Sequence, residues 1–199
     1  VFPENPVKFQ IPNLSALIIL HSMENGLPFA VMDGKMISSM RTGAVGSVAA
    51  KYLSKENPQT VGIIGAGEQA RYHVFNLMRV HPTISEIRVY SRHKESRQKF
   101  VDSMSHWLSN VRFVPVEGAK EAITDADIII TATSSQGPFL KSEWIKNSAF
   151  YSHVGGYEDE YAVVKNADAI IADNWEMTKH RTQTISRMYK EGLIADKDI

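Results

Sequence analysis

The feature that most constrains this chain is a pair of glycines, Gly65 and Gly67, directly after a short apolar run at residues 61–64. Ala70 stands where a third glycine often occurs, and a helical pattern follows. A strand, a glycine turn and a helix in this order are typical of a dinucleotide-binding unit. The tight turn needs Gly65, Gly67 lets the backbone approach a pyrophosphate, and the helix N-terminus attracts the phosphates. The alternative is a glycine turn in an α/β domain that binds nothing.

The chain from residue 60 onward alternates between two patterns, and this alternation predicts the fold class. Strand patterns occur at residues 60–64, 86–90, 111–114, 128–133, 149–154 and 169–172. Helix patterns occur at residues 68–80, 94–108, 118–122, 142–145 and 159–165. Strands that alternate with helices form parallel sheets with right-handed crossovers. We therefore predict an α/β fold with a doubly wound parallel (Rossmann) sheet of six strands.

Both ends of the chain predict structure outside that sheet. Two apolar segments, 15–23 and 28–32, flank Asn25-Gly26, which is a hairpin-turn signal. Residues 38–53 predict a helix crowded with small side chains, which suits close packing between two domains. Residues 174–191 predict a last helix that leaves the sheet.

Composition and charge exclude several function classes. The 22 basic and 22 acidic residues balance, so nothing indicates a nucleic-acid or membrane surface. The chain has no cysteine and no histidines with metal-ligand spacing, so we expect no metal. No apolar run approaches the ~20 residues of a membrane span. We expect a cytoplasmic enzyme, and because the chain starts at Val1 rather than methionine, we expect a fragment of a longer protein.

The residues after the second predicted strand bear on the choice of dinucleotide. A site for NAD usually has an acid there, which binds the ribose 2′-hydroxyl. This chain instead has Ser91, Arg92, His93 and Lys94, which would hold a 2′-phosphate. The sequence therefore predicts that NADP(H) is favoured over NAD(H). The alternative is that Arg92 and Lys94 only begin the next helix.

Three further groups could carry chemistry. Arg41 lies in the first turn of its predicted helix, where a cation is unfavourable unless it binds a phosphate or carboxylate; otherwise it is simply exposed. Residues 131–135 follow a strand and would border the ligand, or form an ordinary polar loop. In residues 153–160, paired glycines would let the backbone pass a flat ring, and either His153 or Tyr157 could donate a proton. The acids that follow would bind an amine or only begin a helix.

Four segments together resemble the ornithine cyclodeaminase/mu-crystallin family: MRTGAV at 40–45, AAKYL at 49–53, IGAGEQA at 64–70 and VGG at 154–156. The resemblance covers nearly the whole chain. It implies a nucleotide-binding domain and a second domain that binds substrate and forms a homodimer. Members include NAD-dependent cyclodeaminases, alanine dehydrogenases and NADPH-dependent ketimine reductases.

The resemblance also implies site residues and a division of the chain. The cofactor-binding residues would be Arg41, Thr42, Gly65, Ala66, Gly67, Glu68, Gln69, Ser91, Arg92, His93, Thr131, Ala132, Thr133, Val154, Gly155 and Gly156. Arg41 would also lie near the substrate carboxylate. Residues 1–53 would be part of an α+β substrate-binding and dimerisation domain with an interdomain helix, 54–175 the nucleotide-binding domain, and 176–199 a helix that returns to the first domain.

One position departs from the family pattern. Cyclodeaminases and alanine dehydrogenases carry an aspartate where this chain has Tyr157, and Glu158 or Asp159 would have to replace it. These three are our catalytic candidates. The family's substrate-binding lysine and arginine would precede Val1. We expect hydride transfer between a nicotinamide and the α-carbon of a small amino or imino acid; the alternatives are ornithine cyclisation with recycled NAD, and nucleotide binding without catalysis.

Overall fold

A computed structural model describes residue 2 and residues 4–199; Val1 and Pro3, in the first predicted segment, lie outside the described residues. A short helix, α1 (Asn5–Lys8), precedes an antiparallel hairpin of β1 (Leu17–His21) and β2 (Pro28–Asp33). Its turn contains Gly26 with φ +73°, a conformation that favours glycine. The predicted hairpin is therefore confirmed.

Helix α2 (Lys35–Leu53) begins at Lys35 rather than at residue 38, so Arg41 lies in its second turn and the prediction of a first-turn arginine is wrong. It packs directly on α3 (Glu68–Val80), because its small residues let the two backbones approach. A Cβ added to Gly43 would lie 2.7 Å from the carbonyl oxygen of Tyr72. No side chain fits there, so α2 and α3 form one closely packed layer.

The remaining strands form a single parallel sheet. They are β3 (Thr60–Ile64), β4 (Glu86–Tyr90), β5 (Arg112–Pro115), β6 (Ile128–Thr131) and β7 (Phe150–His153). Their order is β5-β4-β3-β6-β7, so the connections change direction between β3 and β6. The connecting helices are α3, α4 (Lys94–Trp107), α5 (Ala119–Ile123) and the 3₁₀ turn Ser142–Trp144. The predicted α/β fold with a doubly wound parallel sheet is confirmed, and its ligand crevice is expected at this change of direction.

The core lies on both faces of the central strands. Three isoleucines of β6, residues 128–130, are each at most 2% exposed. One face packs on Leu77 of α3 and Phe100 of α4, and the other on Ile123 of α5. A strand buried on both faces consists of a continuous apolar run, and this is why the sequence pattern predicts β6.

The predicted sixth strand at residues 169–172 is wrong. In the part of the chain that the structure describes, this run forms no ladder with β7, and Ile171 is 61% exposed. A short apolar run satisfies the sequence criterion for a strand, but a strand also needs a hydrogen-bonding partner. The described sheet therefore has five strands.

The predicted last helix, 174–191, is broken into α7 (Trp175–Thr178) and α8 (Thr184–Lys190), followed by a 3₁₀ turn at Asp196–Asp198. The Ser186 hydroxyl donates to the Thr178 carbonyl oxygen at 2.6 Å, which occupies an acceptor at the end of α7. Helix α6 (Tyr161–Lys165) likewise starts later than residue 159, because Asp159 pairs with Leu140 in a parallel bridge. Hydroxyl side chains that bond to the backbone compete with a continuous helix.

A buried carboxylate fixes the amino edge of the sheet. Asp127 is 3% exposed and accepts hydrogen bonds from the backbone N–H groups of Gln59 at 2.7 Å and Thr60 at 3.2 Å. Lys55 lies 2.9 Å from it, and Lys146 also pairs with it. Burial alone would raise the pKa of Asp127, but these donors outweigh it and hold the pKa well below its usual range.

Candidate functional site

The carboxyl ends of four parallel strands lie in one row. The last residues of the strands, which are partners in the ladder, are Tyr90, Ile64, Thr131 and His153. The residues that follow them are Ser91, Gly65, Ala132 and Val154. Backbone hydrogen bonds of 2.8–2.9 Å continue the row, from the N–H groups of Gly65, Ala132 and Val154 to the adjacent strand ends. The structure thus brings four of the five predicted cofactor-binding segments together at one edge.

The glycine turn has the geometry that a bound pyrophosphate needs. Gly65 has φ +112°, and a Cβ there would lie 2.3 Å from the Ala132 carbonyl oxygen. Gly67 begins α3 without a side-chain cap, and no atom lies within 4 Å of the place a Cβ would occupy. The first N–H groups of α3 are therefore open to an anion. These residues fit a dinucleotide.

Helix α2 brings further polar groups to the N-terminus of α3. The buried Ser39 hydroxyl donates to the Glu68 carboxylate at 3.1 Å, and Gln69 lies 3.5 Å from the same hydroxyl. Gln69 Oε1 is buried without a hydrogen-bond partner among the described residues. Thr42 donates to the Ser38 carbonyl at 3.0 Å, and Arg41 is exposed. The resemblance pointed to Arg41, Thr42, Glu68 and Gln69, but nothing in the sequence singled out Ser39.

The segment after β4 is supported from below by a buried arginine. Arg97, 4% exposed, donates to the Ser91 carbonyl at 2.8 Å and pairs with the Glu117 carboxylate at 2.5 Å. Arg92 and His93 are exposed. Nothing in the sequence indicates this role of Arg97, because the fold brings Glu117 to it from 20 residues away. Arg97 thus neutralises the charge of the Glu117 carboxylate.

Glu158 joins the segment after β6 to the segment after β7. It is fully buried, and its Oε1 accepts hydrogen bonds from the Thr133 N–H at 2.7 Å and the Thr133 hydroxyl at 2.6 Å. Its Oε2 accepts from the Thr131 hydroxyl at 2.8 Å and the Gly155 N–H at 2.9 Å. A Cβ on Gly155 would lie 2.4 Å from this carboxylate. Both oxygens are engaged, which favours a supporting role over the predicted catalytic one.

Asp159 ties the same loop to the C-terminal helices. Its Oδ1 accepts from the Thr184 hydroxyl at 2.7 Å and lies 3.1 Å from Nδ1 of His153. Burial raises the pKa of Asp159, and His153 acts in the opposite direction. Burial, with the nearby Asp159 charge, also raises the pKa of Tyr151 well above its usual range. Asp159 is 1% exposed, so it too is part of the interior.

Tyr157 is the member of the catalytic trio that is not buried. Its ring lies against the Arg187 guanidinium, 4.3 Å from ring centroid to Cζ, and Arg187 donates to the Thr182 carbonyl at 3.2 Å. A stacked and hydrogen-bonded arginine fixes the tip of this loop. The catalytic role predicted for Tyr157, Glu158 and Asp159 stays a prediction.

Two further observations concern metals and membranes. Within residues 2 and 4–199, no three His, Asp or Glu side chains converge as a metal site would require. In the same part of the chain no helix has the length and apolar character needed to cross a membrane.

The chain is similar to known proteins over almost all of its length. The model of the ornithine cyclodeaminase/mu-crystallin family matches residues 1–185. N-((2S)-2-amino-2-carboxyethyl)-L-glutamate dehydrogenase of Staphylococcus aureus is 31% identical over 192 residues, 96% of this chain and 57% of the relative. Alanine dehydrogenase of Archaeoglobus fulgidus is 34% identical over 202 residues, 99% of this chain and 60% of the relative.

A solved structure agrees closely with the fold. Delta(1)-pyrroline-2-carboxylate reductase of Thermococcus litoralis, in complex with NADH and L-proline, has a TM-score of 0.90 and 34% identity. The match covers 99% of this chain and 61% of that one. The chain thus spans about 60% of the length of these three relatives.

Proposed function

Because the chain belongs to the ornithine cyclodeaminase/mu-crystallin family, we propose that it acts as an NAD(P)-dependent oxidoreductase on an amino or imino acid. The observation that carries the proposal is the row of strand ends beside the uncapped N-terminus of α3. The S. aureus, A. fulgidus and T. litoralis relatives, all named as dehydrogenases or reductases, support it. A bound nicotinamide would supply or accept a hydride at the substrate α-carbon.

The chain's own residues bind and orient the reactants in this proposal. Gly67 and the α3 N-terminus hold the pyrophosphate, and Thr42 approaches it from α2. Arg41 binds the substrate carboxylate, a charge-assisted contact that an amine or imine without a carboxylate cannot make. Holding the nicotinamide and the substrate at the right distance and orientation is the larger part of the protein's contribution to the reaction rate.

The loop after β7 has two tasks. Gly155 leaves room for the Glu158 carboxylate, and Gly156 lets the backbone pass the nicotinamide ring. Tyr157, at the loop tip, donates a proton to the substrate nitrogen. Glu158 and Asp159 position this loop, because their carboxylates are buried and hydrogen-bonded.

The reaction is tested by mixing the protein with NADPH and Δ1-pyrroline-2-carboxylate and following the loss of absorbance of the reduced nicotinamide. We expect loss of NADPH with formation of proline. Conversion of ornithine to proline and ammonia without net change in the cofactor would instead establish a cyclodeaminase. Tight NADPH binding without turnover of cyclic imines, or of 2-oxo acids with amines, would indicate a binding protein.

We also propose that NADP(H) is favoured over NAD(H). The support is that Arg92 and His93 are exposed beside Ser91, and that Glu117 is paired with Arg97. Arg92→Asp should weaken NADPH binding by ~10-fold or more and NADH binding by much less, since only NADPH carries the 2′-phosphate. Lys99→Asp, the same charge change on an exposed part of α4, is the control. Equal losses for both dinucleotides after Arg92→Asp would contradict the preference.

The assembly we propose is a homodimer. Its support is a solved archaeal alanine dehydrogenase that is described as a dimer with bound NAD, 33% identical to this chain with a TM-score of 0.90. The hairpin adds support, because it exposes apolar side chains that an interface would cover. Phe29 and Val31 are 68% and 65% exposed. Light scattering coupled to size-exclusion chromatography measures the molecular mass of the protein in solution. A monomer at all protein concentrations would contradict the proposal.

A further inference from the structure

The pyrophosphate turn of this chain contains an acid, Glu68, and this needs an explanation. A carboxylate in the first turn of a helix is favourable for the helix itself. The same N-terminus, however, must accept two negatively charged phosphates in the proposed function. The Glu68 side chain is 40% exposed, so its charge is only partly screened by water. An unpaired carboxylate here would repel the cofactor.

Both oxygens of Glu68 are engaged by α2. Lys35 lies with its Nζ 3.0 Å from Oε2, and Ser39 donates to Oε1 at 3.1 Å. Ser39 is 1% exposed, and its hydroxyl also lies 3.5 Å from Nε2 of Gln69. The carboxylate is therefore held toward α2 and paired with a cation, and the backbone N–H groups of the α3 N-terminus are left to the ligand.

This arrangement is rigid because of the packing beneath it. Gly43 brings the two helix backbones together, and Gly46 lies against His73, where a Cβ would come within 3.0 Å of the ring. Lys35 and Ser39 lie on the same helix as these glycines, about two turns and about one turn before Gly43, respectively. The backbones of Lys35 and Ser39 cannot move away from α3 without separating the two helices.

We propose that Lys35 and Ser39 are positioning residues for the dinucleotide: they hold the Glu68 carboxylate neutralised and turned toward α2, so that the N-terminus of α3 accepts the pyrophosphate. The proposal rests on the proposed cofactor binding and adds residues from outside the glycine turn. Lys35 acts through Glu68 and does not contact the phosphates itself. This distinguishes it from an ordinary phosphate-binding lysine.

The test is a double-mutant cycle on dinucleotide affinity, measured by fluorescence titration with NADPH and NADH. Lys35→Met should raise both dissociation constants by ~10-fold, because both cofactors carry the pyrophosphate. Glu68→Gln should bind as tightly as the unchanged protein or more tightly. In a protein that already carries Glu68→Gln, adding Lys35→Met should leave the dinucleotide affinity almost unchanged. The loss of affinity in Lys35→Met alone should be smaller at high salt.

Lys51→Met, on the same helix and away from Glu68, is the matched control and should leave both affinities unchanged. Thermal melting without cofactor verifies that each variant is folded. Lys35→Arg, which keeps the positive charge, should bind both dinucleotides about as tightly as the unchanged protein. A Lys35→Met variant with unchanged affinity overturns the proposal. So does a double variant that binds as weakly as Lys35→Met alone, since Lys35 would then contact the phosphates directly. If even the unchanged protein binds neither dinucleotide, the proposed function fails as well, which separates the two outcomes.

Discussion

At the scale of single residues, the two glycines of the turn have different tasks, and the difference is measurable. Gly65→Ala forces a side chain into φ +112° and toward the Ala132 carbonyl oxygen, 2.3 Å away. We expect the free energy of unfolding to fall by ~1–3 kcal/mol in urea denaturation. The fold itself, not only ligand binding, needs glycine at this position.

Gly67→Ala should show the opposite pattern. Gly67 has φ −90° and open space around its missing Cβ, so the stability should change by less than ~1 kcal/mol. A methyl group there would stand where the phosphates approach, and the dissociation constant for NADPH should rise by ~10-fold or more. Loss of stability in Gly67→Ala with unchanged affinity would contradict this division of tasks.

At the scale of elements, Glu158 connects the ends of β6 and β7. Glu158→Gln keeps the size of the side chain but turns an amide N–H group toward donors, either those of Thr133 or those of Thr131 and Gly155. We expect a loss of ~1–3 kcal/mol in unfolding free energy. Amide hydrogen exchange should quicken at residues 131–135 and 153–157. Lost turnover with unchanged stability and exchange would favour the catalytic role instead.

The elements also divide into those that a sequence can reveal and those that it cannot. Helix α3 lies where predicted, since its apolar period and the preceding glycines are local features. The false strand at 169–172 has local apolar character but pairs with no strand among the described residues, and pairing partners are set by the fold. The support given by Glu158 depends on Thr131 and Thr133, which are more than twenty residues away in the sequence. The support given by Arg97 depends in the same way on Glu117. The segments that meet at this edge of the sheet are thus local features of the sequence, whereas the contacts that support them depend on the fold.

At the scale of the whole molecule, Asp127 links stability to pH. The pKa of Asp127 in the folded chain lies well below the unfolded value of about 3.9. The ionised carboxylate therefore adds fully to the free energy of unfolding above about pH 4, and this stabilisation is lost as the pH falls further. Asp127→Asn should lower the unfolding free energy by ~1–3 kcal/mol at pH 7, and the difference should narrow toward pH 3. Asp168→Asn, at an exposed position, is the control. A difference that stays constant with pH would contradict this assignment.

The backbone contact between Gly43 and Tyr72 has a mechanical consequence for the molecule. Because no side chain separates the two helices there, α2 must travel with the sheet as one body. Any swing of the hairpin relative to the sheet is then absorbed at the short joint between β2 and Lys35. Arg41 would keep its distance from Gly67 throughout such a swing. The anion-binding corner would thus stay assembled whether the crevice is open or shut.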